Sequence, residues 1–234
     1  HTQATQTEVS YSVAGVAAAP ALTGGTETVA ALFLKASLAA PRRVTVVLGG
    51  RADFWRSHPV ESGAPDNAFS FLSPSAAVLW KARPSITLRS AVSRASRTPT
   101  LDELHRGSRQ GNVLTTPNAL LRPETLTGFE SSLLWNGPRL STRVTGFLNV
   151  LDGMVTNVTL SSTPTLITRQ KQNVDRARAS GVEIEVDSRP WRTVTLTGQA
   201  TMTAAHFIDA PLSSLAGNRV PQMPRYQIGA GVTW

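Results

Sequence analysis

The chain has 234 residues, 41% of them hydrophobic, and no cysteine. That is enough apolar material for a folded domain, and it excludes a disulfide scaffold and thiolate metal sites. The formal charge of +8 raises nucleic acid as a partner; the basic residues, however, are scattered singly, as at Arg51, Arg89, Arg143 and Arg178, so no nucleic-acid binding is expected.

The chain opens on His1 with no basic, apolar, small-residue leader, so any export signal is expected upstream of it. Its longest apolar stretches are 13–22, broken by Pro20, and 29–34, closed by Lys35. Neither approaches the ~18 to 20 apolar residues of a spanning helix. Any membrane crossing must therefore be made by strands.

Taken in chain order, strands are expected near 5–15, 28–39, 43–54, 73–80, 85–95, 125–135, 140–155, 168–187, 192–204 and 225–234. The signal is alternation. In 140–150, Leu140, Val144, Leu148 and Val150 oppose Ser141, Arg143, Thr145 and Asn149. In 181–187, Val182, Ile184 and Val186 oppose Glu183, Glu185 and Asp187, and in 193–204 threonines oppose Val194, Leu196, Ala200 and Met202. A period of two gives each strand one apolar and one polar face, where a helix needs 3.6. Segments of roughly ten residues suit tilted transmembrane strands, and the Thr-, Ser- and charge-rich faces suit a water-lined lumen better than a sandwich interior.

Short turns rich in proline and basic residues are expected at 41–43, 81–84, 136–139 and 188–190, with longer polar connections at 55–72, 96–124, 156–167 and 206–224. Short and long alternate, which is the layout of an outer-membrane barrel. The fold class expected is all-β: an antiparallel transmembrane β-barrel with about ten strands present, a section of a larger one. The other classes weighed are a passive porin or other plugless barrel, and a soluble β-rich binding or carbohydrate-active protein. The latter needs buried apolar faces and a carboxylate pair in a cleft.

Six blocks carry a more specific likeness, in order: Ser73-Pro74-Ser75-Ala76; Ser93 to Leu104, with Arg97, Pro99 and Glu103; Asn118-Ala119-Leu120-Leu121-Arg122-Pro123-Glu124-Thr125, then Gly128-Phe129-Glu130; Phe147 to Val155, with Asp152; Asn173-Val174-Asp175-Arg176-Ala177-Arg178-Ala179-Ser180-Gly181-Val182-Glu183; and Val220-Pro221-Gln222-Met223-Pro224. Together they resemble the shared elements of TonB-dependent outer-membrane receptors, and 28–54 fits the hairpin before them. Ala119 stands where the family has proline, and Thr98 where it has alanine or glycine.

The resemblance implies a non-enzymatic receptor in the bacterial outer membrane that imports a siderophore, cobalamin or similar scarce solute. It implies a barrel of about 22 strands, in which 1–234 is one part, with a plug and further strands outside it. TonB would act through an N-terminal region, and the partners would be outer-membrane lipid and a small ligand such as a metal chelate. No cofactor is expected.

The motif positions singled out are Arg97, Pro99, Glu103, Asn118, Pro123, Glu124, Glu130, Asn173, Gly181, Glu183, Pro221 and Pro224. Arg97, Glu103, Arg122 and Glu124 flank the longest loop, where they would shape a ligand-receiving mouth or fix the loop through ion pairs. Glu130, Glu183, Glu185 and Asp187 would face the lumen, paired there with Arg143 or Arg178 or in contact with a plug or cationic ligand. Histidines His1, His58, His105 and His206 lie in expected loops with no ligand spacing for a metal, and no catalytic motif is present. Gly49-Gly50 would permit sheet curvature. Trp55, Trp80, Trp135, Trp191 and Trp234 fall near strand ends, where an interfacial aromatic girdle would put them.

Overall fold

A computed structural model describes residues 2–8, 21–60, 65–209 and 216–234. Ten strands form an antiparallel meander in sequence order. They are β1 (Thr2–Glu8), β2 (Ala21–Ala40), β3 (Val44–Pro59), β4 (Asn67–Arg83), β5 (Ile86–Arg97), β8 (Glu124–Asn136), β9 (Leu140–Ser162), β10 (Ile167–Trp191), β11 (Val194–Asp209) and β12 (Tyr226–Thr233). Between β5 and β8 lie a short helix, α1 (Leu101–His105), and two short strands, β6 (Ser108–Gln110) and β7 (Val113–Thr116). The expected first strand, 5–15, is seen as β1, and its residues 9–15 lie outside the described ones.

The register fixes which side chains share a face. Directly paired residues point to the same side of a sheet. One row runs Val44, Trp80, Leu88, Leu133, Val144, Ile184, Ala200 and Ile228 across eight strands. The row beside it, Thr45, Leu79, Arg89, Ser132, Thr145, Glu183, Thr201 and Gln227, points the other way. The first row is apolar throughout, yet Leu133, Ile184 and Ile228 stand exposed, Ile228 at 84%. A soluble sandwich covers such a face with a second sheet; among the described residues nothing covers this one.

Curvature identifies the inner side. A Cβ placed on Gly49, Gly128, Gly181 or Gly231, all on the polar face, would come within 2.8 Å of a neighbouring atom, whereas Gly50, Gly146 and Gly198 on the apolar face have nothing within 4 Å. The sheet therefore closes toward its polar side, as a barrel wall does around a lumen. The apolar face is convex. Along β9 it runs from Leu140 to Val150, roughly 34 Å of strand, or about 26 Å at a tilt near 40°, close to the ~25 Å band of an outer-membrane barrel.

Several boundaries differ from expectation. The expected loop 55–72 is strand at 55–59, in β3, and at 67–72, in β4. β9 and β10, with 23 and 25 residues, run on through most of the expected loop 156–167 and leave only a tight turn, where Thr163 N–H donates to the Leu166 carbonyl at 2.9 Å. The turns expected at 81–84 and 188–190 lie slightly later, at Pro84–Ser85 and Arg192–Thr193. Register breaks between Trp80 and Arg83 and between Ser188 and Trp191 precede them. Pro190 has no N–H for the ladder, so it sits at the irregularity and not in the turn itself.

Candidate functional site

The loop between β5 and β8 folds inward over the polar wall at the long-loop end. Its first element is capped locally: Glu103 N–H donates to Thr100 Oγ1 at 3.2 Å, and Thr100 N–H donates to Glu103 Oε2 at 2.9 Å. This reciprocal capping box satisfies two of the helix's free donors. It also aims the Glu103 carboxylate at Arg97. Arg97 sits at the last paired position of β5 and β8, opposite Glu124. Its Nε donates to Glu124 Oε2 at 2.5 Å, while Nη1 and Nη2 donate to Glu103 at 3.0 and 3.3 Å. One guanidinium thus ties strand β5, strand β8 and the helix together, using the planar fork that lysine lacks. The Glu124 Oε1 atom accepts from Val155 N–H and carries the tie to β9.

Burial pushes the Glu103 carboxyl up, but hydrogen bonds from Arg97 and from Thr100 N–H, with the charges of Arg97 and Lys171, outweigh it. The net shift is downward, so the ionised form is held.

Two asparagines staple the far side of the loop to β10. Asn118 Nδ2 donates to the Lys171 carbonyl at 2.9 Å, and Asn118 N–H donates to the Glu103 carbonyl at 3.0 Å. Asn173 Nδ2 donates to the carbonyls of Arg122 (2.9 Å) and Gly153 (2.7 Å), and its Oδ1 accepts from Arg122 N–H at 2.9 Å. β7 lies parallel along β10, Val113 beside Ile167 through Thr116 beside Gln170. Underneath, Trp55, Leu104 and Leu121 form a buried cluster with Phe69, Phe71 and Val155 packed against it. Trp55 stacks on Phe69 with centroids 5.6 Å apart and donates to Glu27 Oε1 at 2.7 Å.

Trp55 is therefore no girdle residue. It is 1% exposed, and its odd position in β3 puts it on the inner face beside Asp53. Trp80, Trp135, Trp191 and Trp234 do stand exposed. Arg178 is a second correction: it shares the parity of Val182 and Ile184 and lies on the outer, apolar side. Below the loop, the inner wall carries Glu130 paired with Arg89, and Glu185 accepting from Arg143 Nη1 at 3.0 Å. With Glu183 and Lys35 the first pair lines a concavity of about 460 Å³. Asp187 faces a separate recess beside Gln199.

The remaining motif residues divide. Pro99 is fully buried beneath the loop, whereas Pro221 and Pro224 lie exposed ahead of β12. Pro123 leads into Glu124 at the start of β8. Gly181 faces Phe147, and no larger residue fits there without displacement. The histidines expected in loops lie elsewhere: His58 is in β3 with Nδ1 2.9 Å from Asp66, His105 is buried at the end of α1, and His206 is in β11, forming a backbone β-bridge with Arg219, while His1 lies outside the described residues. Sequence reading missed the inward Trp55, although its parity with Arg51 and Asp53 signals it. It also missed the capping box, visible as Thr100-Leu101-Asp102-Glu103.

A sequence profile of the family described as TonB-dependent receptor-like β-barrel matches residues 3–234. Among curated proteins no relative matches. Solved structures do. The copper transporter OprC has a TM-score of 0.73 at 17% identity, over 96% of this chain and 36% of its own. The ferripyoverdine receptor of the Pseudomonas aeruginosa outer membrane, bound to ferripyoverdine, has 0.69 at 13%, over 93% and 27%. The siderophore receptor PirA from Acinetobacter baumannii has 0.64 at 18%, over 87% and 31%. At these identities the likeness is one of fold, and the chain spans about a third of each structure's length. With the profile covering almost every residue, the chain belongs to the TonB-dependent receptor-like β-barrel family.

Proposed function

We propose that the chain forms part of the wall and the long-loop mouth of an outer-membrane receptor that imports a scarce solute by TonB-coupled transport. The solute classes in view are a siderophore or other metal chelate, and cobalamin. The observation that carries the reading is the anchored loop over a polar wall: Arg97, Glu103, Asn118, Glu124 and Asn173 hold residues 98–123 over the lumen side of the sheet. A fixed rim above a hydrated, charge-lined passage suits a mouth that captures solute and then admits it. The motif residues act here by shaping that rim, not by catalysis, and the protein is read as non-enzymatic.

Support also comes from the solved structures of like fold, whose names include a copper transporter, a siderophore receptor and a ferripyoverdine receptor. Under this reading a plug, a TonB-contacting segment and further strands belong to the same protein outside residues 1–234. The test is uptake. Cells with and without the gene are given radiolabelled ferric siderophores, copper chelates or cobalamin, in TonB-positive and TonB-null backgrounds. Gene-dependent uptake that disappears without TonB is expected. Gene-dependent uptake that persists without TonB would support a passive, plugless barrel instead.

A further inference from the structure

The apolar outer face ends, toward the long loops, in a row that carries Arg94, Arg178, His206 and Arg219. Arg94 of β5 pairs with Thr127, Thr127 with Val150, Val150 with Arg178, Arg178 with His206, and His206 with Arg219. Each step keeps the same face. The row directly beneath, on the same side, is Val92, Phe129, Leu148, Ser180 and Ala204. Arg94, Arg178 and Arg219 are exposed. This is not the lumen: Glu130, Glu183, Glu185 and Arg143 all have the opposite parity.

Arg178, His206 and Arg219 occupy adjacent positions on one face, and basic groups gathered across strands destabilise a sheet. A bound anion removes that cost. Beneath them the outer surface is hollowed into an apolar groove of about 760 Å³, walled by Leu148, Met202 and Tyr226 and rimmed by His206, Arg219 and Arg225. An apolar trough that ends in basic groups suits an acyl chain carrying an anionic head group, and arginine favours a phosphate.

We propose that this groove and row bind a phosphorylated lipid of the outer leaflet, acyl chain along Leu148, Met202 and Tyr226 and phosphate against Arg178, His206 and Arg219. The inference rests on the outer-membrane reading above, since it needs lipid on the convex face. Arginine suits the task because its fork engages two phosphate oxygens at once. Arg176 is directed elsewhere: its Nε donates to Asp152 Oδ1 at 2.6 Å, one row further from the membrane.

The test uses the full-length protein extracted from outer membranes and exchanged into dodecyl maltoside with a bisphosphorylated glucosamine lipid added, read by native mass spectrometry. The wild type is expected to retain the lipid and to lose about tenfold in retention as Arg178→Gln/Arg219→Gln, since each cation near a membrane surface contributes measurably to anionic-lipid affinity. Arg192→Gln, at the opposite end of the sheet, is expected to behave as wild type. The same lipid stripped of its phosphates is expected to wash out of all three. Equal retention by the double variant, or of the dephosphorylated lipid, would overturn the proposal. A heat-dependent gel shift on each sample separates the two failures. A shifting protein without lipid selectivity sinks only the lipid site, and a protein that never shifts sinks the barrel reading as well.

Discussion

Arg97 and Glu124 meet at the last paired position of β5 and β8, Nε to Oε2 at 2.5 Å, and the same guanidinium holds Glu103 of the helix that follows. Glu124 is buried, so removing Arg97 leaves a desolvated carboxylate beside a second one. Arg97→Met is expected to cost about 3 kcal/mol of local stability, and Arg97→Met with Glu103→Gln and Glu124→Gln considerably less. Hydrogen exchange at Leu104 and Leu121 reads this directly, because both amides donate within the loop. Protection in Arg97→Met equal to that of wild type would rule out the tie.

Asn173 makes three hydrogen bonds to backbone on two other segments. Asn173→Ala leaves those groups to find water and is expected to cost about 1 to 3 kcal/mol. Limited proteolysis between 118 and 123 is the readout, with cleavage at that segment accelerating while the strands stay resistant.

The loop is expected to loosen in acid. Glu103 has its folded-state pKa below its ordinary value of 4.5. A carboxylate shifted down contributes stability that is fully present above its unfolded pKa, and that stability is lost as pH falls through the folded value. Proteolytic sensitivity of 101–123 should therefore rise below about pH 4.5, and Glu103→Gln should flatten much of that rise while raising sensitivity at neutral pH. A wild-type profile unchanged down to pH 3 would contradict the assignment.

Trp55 and Trp191 separate an interior tryptophan from a surface one. Trp55→Ala removes the stack on Phe69 and the bond to Glu27 and empties the space under Leu104, at an expected cost of about 3 to 5 kcal/mol. Trp191 is 67% exposed, and Trp191→Ala should change stability far less. The comparison is made by the temperature at which each variant loses its folded gel mobility.

Much of this was legible in the chain. Alternation from Val194 onward, and in 140–150, names the face of each side chain because a strand's period is two, and the order of the motif blocks matches the order of the strands. The same rule, applied strictly, places Trp55 inside and Arg178 outside; reading by residue type, with tryptophan as girdle and arginine as lumen partner, put both on the wrong side. The length of the β9–β10 arm was not legible. Thr156 to Thr165 mixes threonine, serine, asparagine and valine with a proline, a composition equally at home in a loop, and its strand state is fixed by cross-strand pairing such as Val158 with Gln170. Nor does the sequence announce that Asn118 and Asn173 reach backbone about fifty residues away, since such bonds depend on how the loop folds back.

The most direct test is a cysteine scan of 140–150 in the full-length protein, made on a background whose residues 1–234 hold no cysteine and from which any cysteine elsewhere is removed. Each position carries a nitroxide and is measured in outer membranes for collision with oxygen, which partitions into lipid, and with a water-soluble nickel chelate. A period of two is expected: Leu140, Thr142, Val144, Gly146 and Leu148 favour oxygen, and Ser141, Arg143, Thr145, Phe147 and Asn149 favour the chelate or show restricted access to both. Alternation of opposite phase, or a smooth profile with no alternation, would contradict the assignment of a lipid-facing convex side and a lumen-facing concave one.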